Sequence, residues 1–467
     1  MGRVAETREI YKTLDLSLRI GELLLSSGAG AADVTATMLS VAHGLGLRSV
    51  DVDVTFTSLS MSYQPSFDES PLLLMRSVRH RDIDYEDLTE VNVIVNDLIS
   101  GDVDLEGGRQ RLARIVSSGH RLPRWAVVVG WGLSGAGIAL LLGGELIVVA
   151  IAFVAAAGID MIKRFLSRRR YPAFYQQVAG GFFATSLAVG AAATRLPVDP
   201  SLVVTANIIM LLAGIGFMGA IQDALSGFYI TAGARILEAM LATAGIIAGV
   251  SGGLTVGRML GVGLEQLRPG LFDWTDLPVM AFGAGLAAAA FAFASYAPAR
   301  SLLPIAGVAA LGQSLWYLVY TQDPGRAWAA ATASILIGMI SYSVAGRVRV
   351  PPLVIVVPAV VPLLPGLSIY RGLSLMAVGD SNGVIALATA AAVAISIASG
   401  VILGEYIAQP LKREVRRLED RLSGPRLVGP IRARAVKKQK ARDEEAEEGW
   451  RRRLALMLGD DTAGPGA

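Results

Sequence analysis

The chain has 467 residues, 53% of them hydrophobic and 17% charged, with a net charge of +3 and no cysteine. A mean hydropathy of +0.52 is that of a membrane protein. The small net charge argues against a nucleic-acid partner, and the missing cysteines exclude disulfides and thiolate metal sites.

The first residues, MGRVAETREIYKTLD, carry charge throughout and lack the apolar core of a signal peptide. Leu14, Leu18 and Leu25 on one side predict an amphipathic helix from 7 to 27, ended by Gly28 and Gly30. Asp33 starts a second helix that ends near Gly44 to Gly46. From Val50 the period changes to two: Val50, Val52, Val54 and Phe56 alternate with polar residues, and Leu59, Met61 and Tyr63 continue after a parity slip that predicts a bulge. The turn QPSFDES and the run 71–78 predict the hairpin partner, and helices follow at 84–100 and 104–118. Residues 1–122 therefore read as a soluble α+β domain.

His43, His80 and His120 have no metal-ligand spacing, so no metal site is expected. Asp51, Asp53, Ser58 and Ser60 could meet His80 across the hairpin in a hydrolase, yet no nucleophile elbow, phosphate loop or paired-carboxylate signature stands beside them.

From Trp125 the apolar segments come in fives. Helices are expected near 126–142, 145–162, 176–194, 201–221 and 231–256, then 277–295, 302–320, 327–345, 353–371 and 383–408. The fold class is thus a polytopic α-helical membrane protein of about ten transmembrane helices, with five-helix repeats at 123–260 and 275–408. One constant offset maps Leu211, Leu212 and Gly214 onto Leu363, Leu364 and Gly366, Gly227 onto Gly379, and the start of the first apolar block onto that of the second. Because five is odd, the halves must enter the membrane in opposite senses, which predicts an inverted repeat. The basic residues Lys163, Arg164, Arg168, Arg169 and Arg170, with Arg347 and Arg349, place those loops and both termini in the cytoplasm. Residues 409–467 form a charged tail, helical to about Leu422 and largely disordered beyond Gly424.

Gly130, Gly132 and Gly135 match GxGxxG, but inside an apolar segment without a preceding strand, so a dinucleotide site is rejected and no cofactor is expected. Gly245, Gly249 and Gly253 instead mark a face for close helix packing. Arg235 and Glu238 are expected on that face, pointing into the bundle. A charge at mid-bilayer costs roughly 2.5 to 3.5 kcal/mol even on lenient insertion scales, so both need a reason to be there.

Interrupted hydrophobic segments at matching places in two halves point to a transporter's binding site. The candidates for substrate binding or coupling are therefore Asp223, Arg235 and Glu238, with Asn207, Gly214 and Gly216 in the first half and Pro365, Gly366, Tyr370 and Arg371 in the second. Glu238 is the expected coupling carboxylate, Arg235 the group that holds it charged, and Asp223 the third member, brought back by the turn at Gly227. An Arg235–Glu238 pair that only fixes packing is the alternative, as is a snorkelling Arg371.

GELLLSSGAGAADV (Gly21 to Val34), VDVTFTSLSMS (Val52 to Ser62), QDALSG (Gln222 to Gly227) with ARILEAML (Ala234 to Leu241), and VPLLPGLSIYRGL (Val361 to Leu373) resemble the threonine/serine exporter family over roughly residues 10–408. The resemblance implies a carrier in the bacterial inner membrane that exports small hydroxy amino acids, driven by protons. In the family a proline often precedes the glycine that matches Gly214; here that position is Ala213, which argues against a sharp break in the fourth helix. A hydrolase anchored by its helices, a passive small-solute channel and a homo-oligomer all stay open on the residues alone.

Overall fold

A computed structural model describes residues 2–422 apart from 66–68, 79–80, 195–199, 212–213, 260, 262–273, 324 and 378. The charged tail beyond 422, His80 and residues 66–68 of the expected 64–70 turn lie outside the described residues.

The amino-terminal part runs α1 (Gly2–Ser26), α2 (Ala31–Gly44), β1 (Val50–Val54), β2 (Ser58–Tyr63), β3 (Leu72–Ser77), α3 (Tyr85–Ser100) and α4 (Leu105–Ser118). The strands form one antiparallel sheet in the order β1-β2-β3, with Val54 opposite Leu59 and Tyr63 opposite Leu72. Alternation sends Leu59 and Met61 inward, where they are fully buried in one core with Leu14, Leu18, Leu25 and Met38. Asp84 and Asp104 cap α3 and α4 by accepting the Asp87 and Gly107 backbone N–H groups at 3.0 and 2.9 Å.

The expected bulge after Phe56 is instead a hairpin turn. Thr55 N–H donates to the Ser58 carbonyl at 2.9 Å, and the Thr55 and Ser58 hydroxyls meet at 2.7 Å, so the chain reverses and the parity restarts on a neighbouring strand. Local hydroxyl bonding of this kind favours a turn over a continued ladder.

The membrane part begins with α5 (Arg124–Leu141), α6 (Leu146–Arg168), α7 (Ala173–Ala193), α8 (Pro200–Leu211), α9 (Gly214–Leu225) and α10 (Tyr229–Met259). It continues with α11 (Leu277–Ala294), α12 (Ala299–Tyr320), α13 (Arg326–Val348), α14 (Leu353–Val360), α15 (Gly366–Ala377) and α16 (Asn382–Leu422). Among the described residues, seven of these helices are long and apolar enough to cross a membrane: α5, α6, α10, α11, α12, α13 and the 382–408 part of α16.

The segment expected at 201–221 carries α8 and α9 on either side of 212–213, which lie outside the described residues, and that expected at 353–371 is two helices rather than one. In the second, a 3-10 turn at Val361–Leu363 separates α14 from α15, because Pro362 and Pro365 supply no backbone N–H to continue the α-helical ladder.

Glycines set the helix contacts. A Cβ on Gly245 would lie 2.6 Å from the Phe174 carbonyl oxygen, one on Gly253 would lie 2.7 Å from Thr185 Cβ, and Gly249 abuts the Val178 carbonyl, so α10 packs backbone to backbone on α7. Gly338, Gly400 and Gly404 make the same kind of seam between α13 and α16. Between the two membrane halves, α5 crosses α11 where Gly137 faces Ala287 and Gly283 faces Leu141. Ser134 Oγ donates to the Ala287 carbonyl at 3.1 Å in the same crossing.

Candidate functional site: a buried ion pair where the amino-terminal region meets the membrane helices

The turn between α9 and α10 carries the site. Gly227 adopts φ +89°, and Phe228 N–H donates to the Asp223 carbonyl at 2.8 Å, so the chain folds back and sets Asp223 against the first turns of α10. There Arg235 Nη1 lies 3.1 Å from Asp223 Oδ2, with the two side chains 9% and 1% exposed. A guanidinium and a carboxylate this deeply buried are held only by mutual charge and further hydrogen bonds.

Those further bonds come from the amino-terminal region. Asp223 Oδ1 accepts the Ala31 backbone N–H at 2.8 Å, and Arg235 Nη2 donates to the Ala29 carbonyl at 3.0 Å. Ala31 opens α2, so the carboxylate sits at the positive end of that helix, where unpaired N–H groups favour an anion. The short loop Gly28-Ala29-Gly30 permits the approach. Gly28 has φ +99°, and a Cβ on Gly30 would already stand 3.4 Å from Asp223 Oδ1. Thr231 Oγ1 adds a long bond of 3.4 Å to the Val54 carbonyl at the end of β1.

Three more charges surround the pair. Asp33, in the first turn of α2, has its carboxyl pushed above the usual range, first by burial and then by the negative charge of Asp223. Glu405 on α16 is close enough to Asp33 for their charges to interact. Arg81, in the loop between β3 and α3, lays its guanidinium 3.6 Å above the Phe56 ring. Burial and then the charge of Arg235 lower it to about 10, against the opposing pull of Glu238 and Asp223.

Two sequence expectations are met at the site: Asp223 and Arg235 are together, and the Gly227 turn is what joins them.

Glu238 is different: it is exposed, and Arg235 pairs with Asp223 instead of it. Glu238 does lie on the glycine stripe of α10. However, α7 begins at Ala173 and its first turn already sits against Gly245, so nothing from α7 reaches two turns back to cover Glu238.

The remaining candidates are spread over both halves. Asn207 on α8 is fully buried; its Nδ2 donates to the Val203 carbonyl at 2.8 Å and its Oδ1 has no partner. Gly214 opens α9, while Gly216 is exposed with open space where a Cβ would stand. Pro365 and Gly366 are buried at the start of α15, where Ile369 N–H donates to the Pro365 carbonyl at 3.1 Å. In the same turn Ser368 Oγ accepts from Arg326 Nη1 at 3.0 Å. Arg371 is half-buried on α15, and the Tyr370 side chain lies outside the described residues. α15 packs against α8, so the segments that carry Asn207 and Pro365 lie side by side.

Arg81, Asp33 and Ala29 with Ala31 were not singled out in the sequence as site residues. The only signal was the charge of Arg81 and Asp33 near glycine-rich or strand-end positions. Among the described residues no cluster of His, Asp and Glu has the makings of a metal site. Asp51 and Asp53, the carboxylates of the hydrolase alternative, are exposed on β1.

The amino-terminal region also packs on the loop between α11 and α12. Tyr85 N–H donates to the Ser295 carbonyl at 2.9 Å, and the His120 ring stacks on Tyr296 with centroids 3.9 Å apart. His120 lies between Asp84 and Glu86 at 3.3 and 3.6 Å. Beside it, burial and the charge of Asp84 raise the Asp87 carboxyl to about 6. A raised carboxyl pKa means that the folded state holds the proton more tightly than the unfolded chain. The stabilising contribution is therefore full below the unfolded value of 3.8 and is lost as pH rises through about 6. Asp87→Asn should remove that fall, so thermal unfolding of the variant, followed from pH 4 to 8, is expected to change less with pH than that of the wild type. An identical pH profile would contradict the assignment.

An interrupted membrane segment, a glycine-packed bundle and a buried charged pair where α9 and α10 meet the amino-terminal region are the features of a membrane transporter. The comparisons with known proteins agree. The family described as "Putative threonine/serine exporter" matches residues 15–257, and the one described as "Threonine/Serine exporter, ThrE" matches residues 280–407. A Mycobacterium tuberculosis protein named "Probable threonine/serine exporter" is 34% identical over 93% of this chain and 84% of its own length. A Corynebacterium glutamicum protein named "Threonine/serine exporter" is 32% identical over 95% of this chain and 90% of its own. A shorter Escherichia coli protein, "Probable succinate transporter subunit", is 26% identical over 55% of this chain and 99% of its own. No solved structure matches. The chain belongs to the threonine/serine exporter family.

Proposed function

We propose that this chain exports threonine and serine across the bacterial inner membrane in exchange for protons, by alternating access between two inverted five-helix repeats, with both termini in the cytoplasm. The observation that carries the mechanism is the Asp223–Arg235 pair, buried at the join of α9, α10 and the soluble domain. Binding a zwitterion or a proton there changes the charge balance of a site whose partners belong to two different parts of the molecule, which is how a local event can move a domain.

Several features support the repeat. Gly227 and its counterpart Gly379 both have positive φ, at +89° and +79°. The α7–α10 seam of the first half has its equivalent in the α13–α16 seam of the second. The basic loops at Lys163 to Arg170 and Arg347 to Arg349 support the orientation. Threonine and serine come from the family and from the names of the relatives above, and the buried, unpartnered Oδ1 of Asn207 on α8 is an acceptor of the kind that a substrate hydroxyl requires.

Protons enter through the carboxylates. Asp33 and Asp223 repel one another when both are ionised, while Arg235 favours the ionised form of Asp223. One proton or one substrate ammonium relieves that repulsion. Efflux in liposomes, scored per folded protein, tests the assignment. Asp223→Asn is expected to lose nearly all stimulation by a pH gradient, whereas Glu238→Gln, at an exposed position, is expected to keep most of it. Wild-type stimulation in Asp223→Asn would remove this pair from the mechanism.

A further inference from the structure

Most buried polar groups in the molecule are satisfied, so an unsatisfied pair of opposite sign near one site is informative. The Nη1 and Nη2 atoms of Arg81 are both buried without a hydrogen-bond partner, and so is Asp223 Oδ2, which meets Arg235 as a charge contact and accepts no hydrogen bond. Phe56 covers one face of the Arg81 guanidinium at 3.6 Å, which leaves its edge nitrogens as the free donors. The loop that carries Arg81 is itself anchored, since Asp82 N–H donates to the Ser26 carbonyl at 3.1 Å. A guanidinium held flat on a ring, with its terminal nitrogens free, is preorganised for a planar bidentate acceptor.

We propose that Arg81 binds the carboxylate of the transported amino acid at the boundary between the soluble domain and the membrane helices, with the substrate ammonium on Asp223 Oδ2. The inference rests on the exporter reading and deepens it, because it makes the soluble domain part of the substrate site. The ligand is an α-amino acid zwitterion: its carboxylate supplies two acceptors to an edge whose two nitrogens have no hydrogen-bond partner, and its ammonium supplies donors to Asp223 Oδ2, which has the charge contact with Arg235 but accepts no hydrogen bond. No covalent step is involved. The depressed basicity of Arg81, caused by burial and by Arg235, is what a cation awaiting an anion should show. Arg235 does not compete for the carboxylate, since its Nη1 and Nη2 are committed to Asp223 and Ala29. Sequence inspection passes over Arg81 because it sits in a short loop among other charges, with no motif around it.

The test uses the purified full-length protein, with L-serine and L-serinamide as probes; the amide keeps the hydroxyl and ammonium and lacks the carboxylate. L-Serine is expected to raise the thermal unfolding temperature of the wild type, and serinamide is expected not to. Arg81→Gln should abolish protection by serine and raise the KM for serine efflux from liposomes at least tenfold. Its unliganded form should unfold near the wild-type temperature, because the buried terminal nitrogens of Arg81 have no hydrogen bonds to lose. That last readout separates a ligand-binding arginine from a structural one, whose loss would destabilise the empty protein. Arg81→Lys keeps the charge without the fork and should raise KM severalfold, and it serves as the deciding variant if Arg81→Gln does not fold. An unchanged KM for serine in either folded variant, or wild-type discrimination between serine and serinamide, would overturn the assignment. Failure of the wild type to transport serine or threonine would instead overturn the exporter reading itself.

Discussion

Arg235→Ala is expected to lower the stability of the folded protein by about 3–5 kcal/mol, the usual cost of stranding one member of a buried ion pair. The substitution leaves Asp223, 1% exposed, without its counter-charge, and it removes the bond from Nη2 to the Ala29 carbonyl. Both losses act at the same place, so the soluble domain should come away from α10 while the distant α5–α11 crossing stays intact. Proteolysis of the purified protein should therefore cut first between the soluble domain and α5. The double variant Arg235→Ala with Asp223→Ala removes the stranded charge and should recover part of the loss, because two missing partners cost less than one. Wild-type stability and protease resistance in Arg235→Ala would show that the pair carries no structural weight.

Gly249→Val should be as damaging for a different reason. Even a single Cβ at Gly249 would stand against the Val178 carbonyl inside van der Waals contact and 2.8 Å from the Phe182 nitrogen. Both obstacles are backbone, so no rotamer change relieves them and α7 must move off α10. Overpacking of this kind typically costs about 1–3 kcal/mol, and more where backbone meets backbone. Gly252→Val is the control: the nearest atom to a Cβ there is Phe182 Cδ2 at 3.5 Å, an ordinary contact. Expression of the two variants in membranes, followed by size-exclusion in detergent, should give little folded Gly249→Val and near-normal Gly252→Val. Equal yields would mean that the seam tolerates separation.

These two positions also show how much could be read from residues alone. The glycine stripe at Gly245, Gly249 and Gly253 was legible because close helix packing leaves a four-residue period. The Asp223–Arg235 site was half legible. Charges in an apolar segment demand a partner, and the glycine at 227 indicated where the chain turns back.

Choosing the wrong partner for Arg235 had a physical cause. Helix periodicity places Glu238 one turn away on the same stripe, but it carries no information on where the neighbouring helix begins, and α7 starts too late to cover it. The role of Ala29 and Ala31 was out of reach for a related reason. They contribute backbone N–H and C=O groups, which every residue possesses, across a contact between parts of the chain almost two hundred positions apart. The hairpin turn at Thr55 was missed because a parity change is the same in sequence whether a strand bulges or reverses. The interruption at Pro365 was easier, since proline acts locally.

The central claim is that a membrane carrier moves small hydroxy amino acids with protons through this site. Efflux from liposomes containing the purified wild-type protein tests it most directly, with labelled threonine, serine and alanine, each measured with and without an imposed pH gradient. The account predicts that threonine and serine leave faster than alanine, and that a gradient directing protons inward accelerates both several-fold. Equal rates for all three, unchanged when the gradient is collapsed, would describe a passive pore and contradict it.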